Sequence, residues 1–524
     1  MTWWKPQTWG ARDETIAKLE AKIAGLEALS YEGGKTDRRM AGWLASSASQ
    51  NSLTYSYGPR LRARSRQAAR DFPHMAKAAR TLPANLVGTG IRPQCKTGDV
   101  GLDAFAEELF DRWAARCDSS GRLGFYGLQF AAARGMVESG ESLLRRRPRL
   151  STDGLDIPLQ IQLLEADLLD PDRNEVRTAR SDGRSVVTGR VVQGVEFDAK
   201  DRIVGYWLHS AHPGDSWAMG SAADLTSHFV PASDVAHLYE QIRPGQVRGV
   251  PWSHAVLQSV WDLDGYRDAR RMGARLAACH TATVSGGDPA ASPLGADGVN
   301  VEDAGDGTVK EAFAPGLILH APDGKTVTYH TPPMAQDEGF TLSEQHSIAA
   351  GLHMPFALLT GDLSRVNFSS SRFGLMEFRR VMRPLQNNVF VPLFCQPVWE
   401  WFVATAIAVG ALPDRAAGYP VRWIPPLFEE VDREKDASAD LLEMRAGTVS
   451  RQEIIRAKGR DPEQVLAEQI ADAEQADAAG LTWDSDPRHV SRAGVTQARP
   501  AGSVVPGAES EDAALRVVQS RPAR

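Results

Sequence analysis

The chain has 524 residues, of which 42% are apolar and 24% charged. That length exceeds one ordinary domain, and the mixture excludes a mainly disordered, collagenous or disulfide-framed protein. Lys and Arg total 59 against 66 Asp and Glu, a formal charge of -7, which argues against a chain that wraps tightly around nucleic acid.

Residues 12–29 place Ile16, Leu19, Ile23 and Leu26 on one helical face in a 3-4-3 spacing. Two heptads are too few for a free coiled coil, so this arm is expected to be a helix that docks on something. Residues 1–150 are basic, with 24 Lys/Arg against 15 Asp/Glu; the remaining 374 carry 35 against 51. In the basic part Arg62, Arg66 and Arg70 form one stripe before Phe72-Pro73 breaks the helix. A solvated face is the plain reading of that stripe; phosphates or a neighbour's acidic surface are the functional ones.

From about 143 to 240 the pattern turns to period two and turn signals, in Leu159, Ile161 and Leu163, Val186-Val187, Val191-Val192, Val195–Phe197 and Ile203–Leu208. This predicts a sheet region. Glu165, Asp167, Asp170 and Asp172 fall in it and resemble a metal cluster superficially. Their spacing fits no calcium loop, and strand-end and turn acids is the preferred reading.

A helix is expected over 253–281, with Arg267, Arg271 and Arg275 on one stripe and Asp264 and Asp268 on the next. A Gly-, Pro- and Asp-rich β insert should follow over 282–335, then a second helix ending near His353-Met354-Pro355. After a polar loop another helix is expected, bent at Pro384 and continued by the apolar Trp399–Ala408 stretch. Short helices follow from Phe428, with Gly447 as a stop, Ser450-x-x-Glu453 as a capping box and Asp461-Pro462 as a start. The Ala-, Gly-, Ser-, Pro- and Arg-rich end beyond 481 reads as a flexible tail.

Chemistry-bearing motifs are missing. There is no phosphate loop, no H-E-x-x-H and no G-x-S-x-G elbow, and the glycines Gly88 and Gly90 open no helix on a third glycine. Glu138 and Glu141 are read as sharing a helix face, a common solvated pair. Cys95, Cys117, Cys279 and Cys395 form no C-x-x-C pair and read as buried thiols in a reducing compartment. No signal-peptide pattern opens the chain. The most apolar segment, Val389–Leu412, is interrupted by Gln396, Pro397 and Glu400, so no membrane partner is expected. The expectation is a non-enzyme with no cofactor and no metal.

Seven strings are more specific. They are Asn85-Leu-Val-Gly-Thr-Gly-Ile-Arg-Pro93, Pro158-Leu-Gln-Ile-Gln-Leu-Leu-Glu-Ala-Asp167, Gly194-Val-Glu-Phe-Asp198 and His212-Pro-Gly-Asp215. Further along come Arg243-Pro-Gly-Gln-Val-Arg-Gly-Val-Pro-Trp252, Ile348-Ala-Ala-Gly-Leu-His-Met-Pro355 and Leu359-Thr-Gly-Asp-Leu-Ser-Arg-Val-Asn-Phe-Ser-Ser-Ser-Arg372. In this order, over roughly residues 60–430, they resemble the lambda-type portal proteins of tailed bacteriophages. Pro83 departs from that pattern, since it should kink or end a helix.

The resemblance implies an α+β portal fold forming a ring of about twelve subunits around a channel, at the unique capsid vertex where double-stranded DNA is packaged and later ejected. It divides the chain into an N-terminal helical arm (1–30), wing (31–250), stem helix (251–281), β-rich clip (282–335), second stem helix (336–355), tunnel loop (356–373), bent helix and wing return (374–427), helical crown (428–480) and tail (481–524). Ser364, Arg365, Asn367, Ser369, Ser370 and Ser371 are then the DNA-facing candidates. Asp264, Arg267, Asp268, Arg271 and Arg275 are candidates for contact between neighbouring stems. The implied partners are further copies of the chain, loosely held DNA, terminase large subunit, major capsid and scaffold proteins and a head-completion or adaptor protein. The implied location is the virion, with the host cytoplasm during assembly. The rivals are another structural head or adaptor component, a gene-transfer-agent portal, and a metal-dependent prophage enzyme built on the acidic cluster.

Overall fold

The computed structural model describes residues 38, 42, 45–181, 184–215, 226–278, 281–285, 301–303, 309–311, 326–330, 338–364, 367–426, 433–481 and 483. The expected arm helix over 12–29 and nearly all of the tail lie outside them. Helix α1 (Gln50–Asp71) starts where the Ser49 hydroxyl accepts the Ser52 amide at 3.2 Å, and it stops at Phe72 because Pro73 opens α2 (Pro73–Val87). Contrary to the expected break, α2 runs through Pro83. Pro83 is buried beside Leu82, Leu86 and Val87, so one lost backbone donor near the helix end is outweighed by apolar burial.

Strand β1 (Arg92–Cys95) leads to α3 (Val100–Ala114), capped by Asp99, and to α4 (Phe125–Ser139). Gly140, at φ 89°, ends α4 and turns the chain into β2 (Glu141–Pro148). With β3 (Leu159–Glu165) and β9 (Val235–Tyr239), β2 forms an antiparallel sheet in the order β3-β2-β9. Between them β4 (Glu175–Ser181), β5 (Arg184–Val192), β6 (Val195–Asp198), β7 (Ile203–His209) and β8 (Ser227–Pro231) make a five-stranded antiparallel meander. The period-two segments read from the sequence all fall on these strands.

Helix α5 (Leu257–Ala278) and α6 (Glu338–Gly351) bracket two short antiparallel pairs, β10 (Thr281–Ser285) with β13 (Thr326–His330) and β11 (Val301–Asp303) with β12 (Val309–Glu311). Tyr266 meets Phe340 edge-on at 4.8 Å, so the two helices touch. The short α7 (Phe356–Thr360) precedes α8 (Phe368–Leu385), and a π-helical segment over Gln386–Cys395 joins α8 to α9 (Gln396–Ala408). Pro384, Pro392 and Pro397 each lack a donor there, which accounts for the departure from regular α geometry near the expected bend. By length and composition, Ser370–Ala408 is the one helical run among the described residues that could cross a membrane. Phe390, Phe394, Val398, Trp399 and Phe402 are nevertheless buried, so this run serves as a core helix.

Strand β14 (Val421–Ile424) returns to pair with β1, and α10 (Arg433–Ala446), α11 (Arg451–Ala457) and α12 (Pro462–Ala479) finish the described chain. Gly447 and Asp461 cap them as read from the sequence, and Ser450 Oγ accepts the Glu453 amide at 3.1 Å, one half of the expected capping box. These helices dock through polar contacts. Asp436 receives Arg372 at 2.6 Å, Gln94 donates to Asp461, and Lys96 pairs with Glu463. Nearby, burial, then the charges of Asp461 and Glu463, pushes Glu107 up to about 7 although it accepts the Cys95 amide.

The main core gathers α2, α3, α4, the β3-β2-β9 sheet and the long α8–α9 run. Phe110 sits at its centre, with the rings of Trp113, Phe125, Trp399 and Phe402 at 5.1–5.4 Å. A smaller core of Leu143, Leu169, Val195, Tyr206 and Leu208 joins the two sheets. Phe110→Ala should cost about 3–5 kcal/mol, read as a lower urea midpoint.

Candidate functional site

Gly140 places Glu141 at the first position of β2 rather than on the helix face it was expected to share with Glu138. Glu138 remains on α4 and pairs with Arg134. Glu141 is 0% exposed, and a carboxylate without water needs donors on every lone pair. Arg248 supplies two, its Nε and Nη2 lying 2.7 and 2.6 Å from Oε1. Oε2 accepts the Gly249 amide at 2.8 Å and lies 3.0 Å from His237 Nε2.

Arg248 is as deeply buried, and its other N–H groups are also spent. Nη1 donates to the carbonyls of Leu169 and Gln193, and Nη2 to that of Ala166. Burial alone would raise the pKa of Glu141. The charge of Arg248 and the hydrogen bond and charge of His237 outweigh it and hold the carboxyl well below the usual range.

The backbone makes room for this pair. A side chain on Gly249 would collide with the Gly140 carbonyl, and one on Gly140 with Val250. The loop carrying Arg248 is also tied to α1. Asn51 donates to the Gly245 carbonyl at 2.8 Å and accepts the Val247 amide at 2.9 Å, and Ser253 donates to Ser65 at 2.7 Å.

The basic stripe and the acidic group, separate features in the sequence, meet here. Arg62 is buried, with Nε 3.2 Å from Asp167 and Nη1 3.9 Å from Glu141. Arg66 reaches Glu165 at 3.2 Å and Asp167 at 2.5 Å, whereas Arg70 is exposed and pairs with Asp71. The solvated-face reading of the stripe is thereby corrected for Arg62 and Arg66: α1 packs against the end of β3, where the acids cluster. Asp170 accepts the Ser227 hydroxyl and the Asp172 amide, a turn role. Glu165, Asp167 and His212 come within 4.8 Å of one another, but Arg66 already stands as cation between the two carboxylates.

The loop candidates are only partly described. Arg365 lies outside the described residues, as does the side chain of Ser369. Ser364 is exposed and hydrogen-bonds Asp362 through its amide and hydroxyl at 2.9 and 2.6 Å. Asn367 and Ser370 form the capping box of α8: Asn367 Oδ1 accepts the Ser370 amide at 2.8 Å, and Ser370 Oγ accepts the Asn367 amide at 3.3 Å. The Ser371 amide donates to the Asn367 carbonyl. Two of the DNA-facing candidates thus begin a helix.

On α5, Asp268 and Arg271 form an exposed intrahelical pair at 3.5 Å, while Arg267 turns inward to 3.0 Å from His74 on α2. Arg275 is exposed and Asp264 partly covered.

A description of the lambda family of phage portal proteins matches residues 36–386. The chain belongs to that family. A curated relative named "Probable portal protein", from Halomonas phage phiHAP-1, is 28% identical over 423 residues, 77% of this chain and 78% of its own. Among solved structures, the virion of a native gene transfer agent particle aligns at 14% identity and a TM-score of 0.41, covering 77% of this chain and 94% of that one. An HK97-family phage portal protein from Corynebacterium diphtheriae aligns at 11% and 0.30, covering 71% and 96%.

Portal proteins are structural and not enzymes, and the described chain mixes helices with antiparallel sheets in the expected α+β class. Sequence reasoning read Glu141 as half of a solvated pair and did not single out His237 or Arg248. Their available signals were a Glu after a Ser-Gly helix stop and an Arg between Val247 and Gly249 in the family-like string 243–252.

Glu141→Gln leaves Arg248 buried with a weaker partner and should cost about 3–5 kcal/mol, whereas the more exposed Glu165→Gln should cost under about 1 kcal/mol. Because the folded pKa of Glu141 is depressed, its stabilisation is full above the unfolded value of about 4.3. It is lost as pH falls from there toward the folded value. Urea midpoints between pH 7 and pH 3 should therefore fall less steeply in Glu141→Gln than in the unaltered chain.

Proposed function

We propose that this chain forms a ring of about twelve copies at one vertex of a phage capsid, through which double-stranded DNA is packaged and ejected and on which terminase and head-completion proteins dock. The family match carries this reading. The helix–β insert–helix order of α5, β10–β13 and α6 supports a division into stem, clip and stem, with 31–250 as wing and 428–480 as crown. Apolar side chains left open on several elements support a multi-copy assembly. Trp261 and Met272 on α5, Phe373 and Met376 on α8, and Leu466 and Ile470 on α12 are all exposed, more than a lone subunit of this kind needs.

A conduit must hold a polyanion loosely, because tight counterion-releasing contacts oppose every step of movement. Twelve copies at -7 each give about -84 per ring, which repels DNA from most of the wall. We place Ser364, Arg365, Asn367 and Ser369–Ser371 at the channel constriction, where Arg365 supplies a thin basic collar. The capping of α8 by Asn367 and Ser370 holds the helix start that follows the collar. Asp264, Asp268, Arg271 and Arg275 face the neighbouring stem in this arrangement. Exposed pairs of this sort contribute about 0–1 kcal/mol, so they set register more than strength, while Arg267 anchors α5 to its own α2.

The reading is tested by complementing a phage that lacks this gene. The unaltered chain should restore DNA-filled heads. Arg365→Ala should keep head assembly but lower the packaged or retained DNA several-fold. Normal DNA content in Arg365→Ala removes the collar, and DNA-filled heads without the gene remove the proposed function.

A further inference from the structure

The far half of β2 carries arginine at every second position: Arg145 and Arg147 on the strand, and Arg149 just past its end. The register sets Arg145 opposite Gln162 and Arg147 opposite Gln160 on β3, so arginines and glutamines share one face of the sheet. Arg146 points to the other face, where it lies 3.9 Å from Asp234 and donates to the Thr405 hydroxyl at 3.4 Å. Among the described residues, the three outer arginines have no carboxylate partner; their acceptors are neutral. Arg147 donates from Nε and Nη2 to Gln162 Oε1 at 2.8 and 2.5 Å, and Arg149 from Nε to Gln160 Oε1 at 2.8 Å. Gln160 is itself fixed, its amide donating to the carbonyls of Arg116 and Asp118 at 3.2 and 3.0 Å.

A glutamine orients a guanidinium without cancelling its charge. The cost is visible at Arg147, where partial burial and then the charges of Arg145 and Arg149 hold the pKa below its usual value. The acids of the surrounding turns do not relieve it. Asp118 is buried and accepts the hydroxyl and amide of Ser120 and the amides of Arg122 and Leu123. Asp153 accepts the Leu150 amide within its own turn, and the exposed Asp156 is offset by the exposed Arg116 and Arg122.

We infer that this arginine ladder is a second contact for the phosphate backbone of DNA, on the wing and separate from the collar at Arg365. The choice of DNA as the polyanion rests on the proposed packaging role. Alternate residues of a strand repeat about every 6.6–6.8 Å, and two nucleotides of one DNA strand advance about 6.8 Å along the axis. Guanidiniums in line at that repeat meet an extended polyanion at several points at once, which a compact anion cannot do. Arg147 Nη1, both Nη groups of Arg149 and all N–H groups of Arg145 remain for phosphate oxygens. With a chain charge of -7, the grip stays local, so DNA rests on this face without being wrapped.

The test uses the full-length chain in the assembly it forms, titrated into a labelled duplex of about 30 base pairs between about 50 and 200 mM salt. Arg145→Gln/Arg147→Gln/Arg149→Gln should weaken binding at least tenfold at the low-salt end and reduce the slope of log K against log salt by about 2–3. Arg145→Gln alone breaks no hydrogen bond or ion pair among the described residues, so it should keep the urea midpoint and assembly of the unaltered chain. It should still weaken binding several-fold and lower the slope by about 1. An unaltered chain that binds no duplex, or an affinity and slope unchanged by Arg145→Gln, would overturn the inference. Loss of assembly in Arg145→Gln would also overturn it, by assigning the face to an acidic surface of a neighbouring copy. The packaging role is decided separately by the filling of heads, so the ladder can fail while that reading stands.

Discussion

A carboxylate with no access to water constrains the body of this protein more than any other single group. Glu141 stands at the start of the central strand of its sheet, and its donors come from β9 and from the loop that precedes α5. Arg248 extends the tie to the carbonyls of Ala166, Leu169 and Gln193, and Arg62 adds α1. Removing one member leaves an opposite charge buried, so these segments are held to one geometry.

That geometry has a mechanical consequence. Helix α5 begins five residues after Trp252, directly beyond the Arg248 loop, and its first turns bury Val260 and Leu263 on the body while the later turns are mostly exposed. The Glu141–Arg248 pair therefore fixes the foot of a helix whose far end is open. A fixed foot and an exposed far end are in keeping with the stem role proposed for α5. The C-terminal helices differ: α10 and α11 bury no residue completely, and the ties to the body include the Arg372–Asp436 pair on α10 and the Lys96–Glu463 pair on α12.

Much of the element order was legible in the sequence, because its signals are local. Ser450, Asp461-Pro462 and Gly447 act within a turn, and the alternation in 186–208 needs only the neighbouring strands. What was not legible depends on distant partners. Arg62 and Arg66 read as a surface stripe since nothing local reveals Glu165, Asp167 and Glu141 across from them. Pro83 read as a break because its local cost is visible, whereas the core around Leu82 and Leu86 that overrides it comes from other segments. The pairing of β1 with β14 joins residues more than three hundred positions apart. For the channel candidates, the resemblance implied a DNA-facing role, while the capping of α8 by Asn367 and Ser370 depends on a helix start that the loop reading did not include.

The central claim is a channel-bearing ring. Native mass spectrometry of the purified chain, with negative-stain images of the same sample, tests it most directly. The account predicts a particle near twelve chain masses with a central hole wide enough for a duplex of roughly 20 Å. A compact dimer or tetramer without a channel, persisting when scaffold protein is supplied, would contradict it.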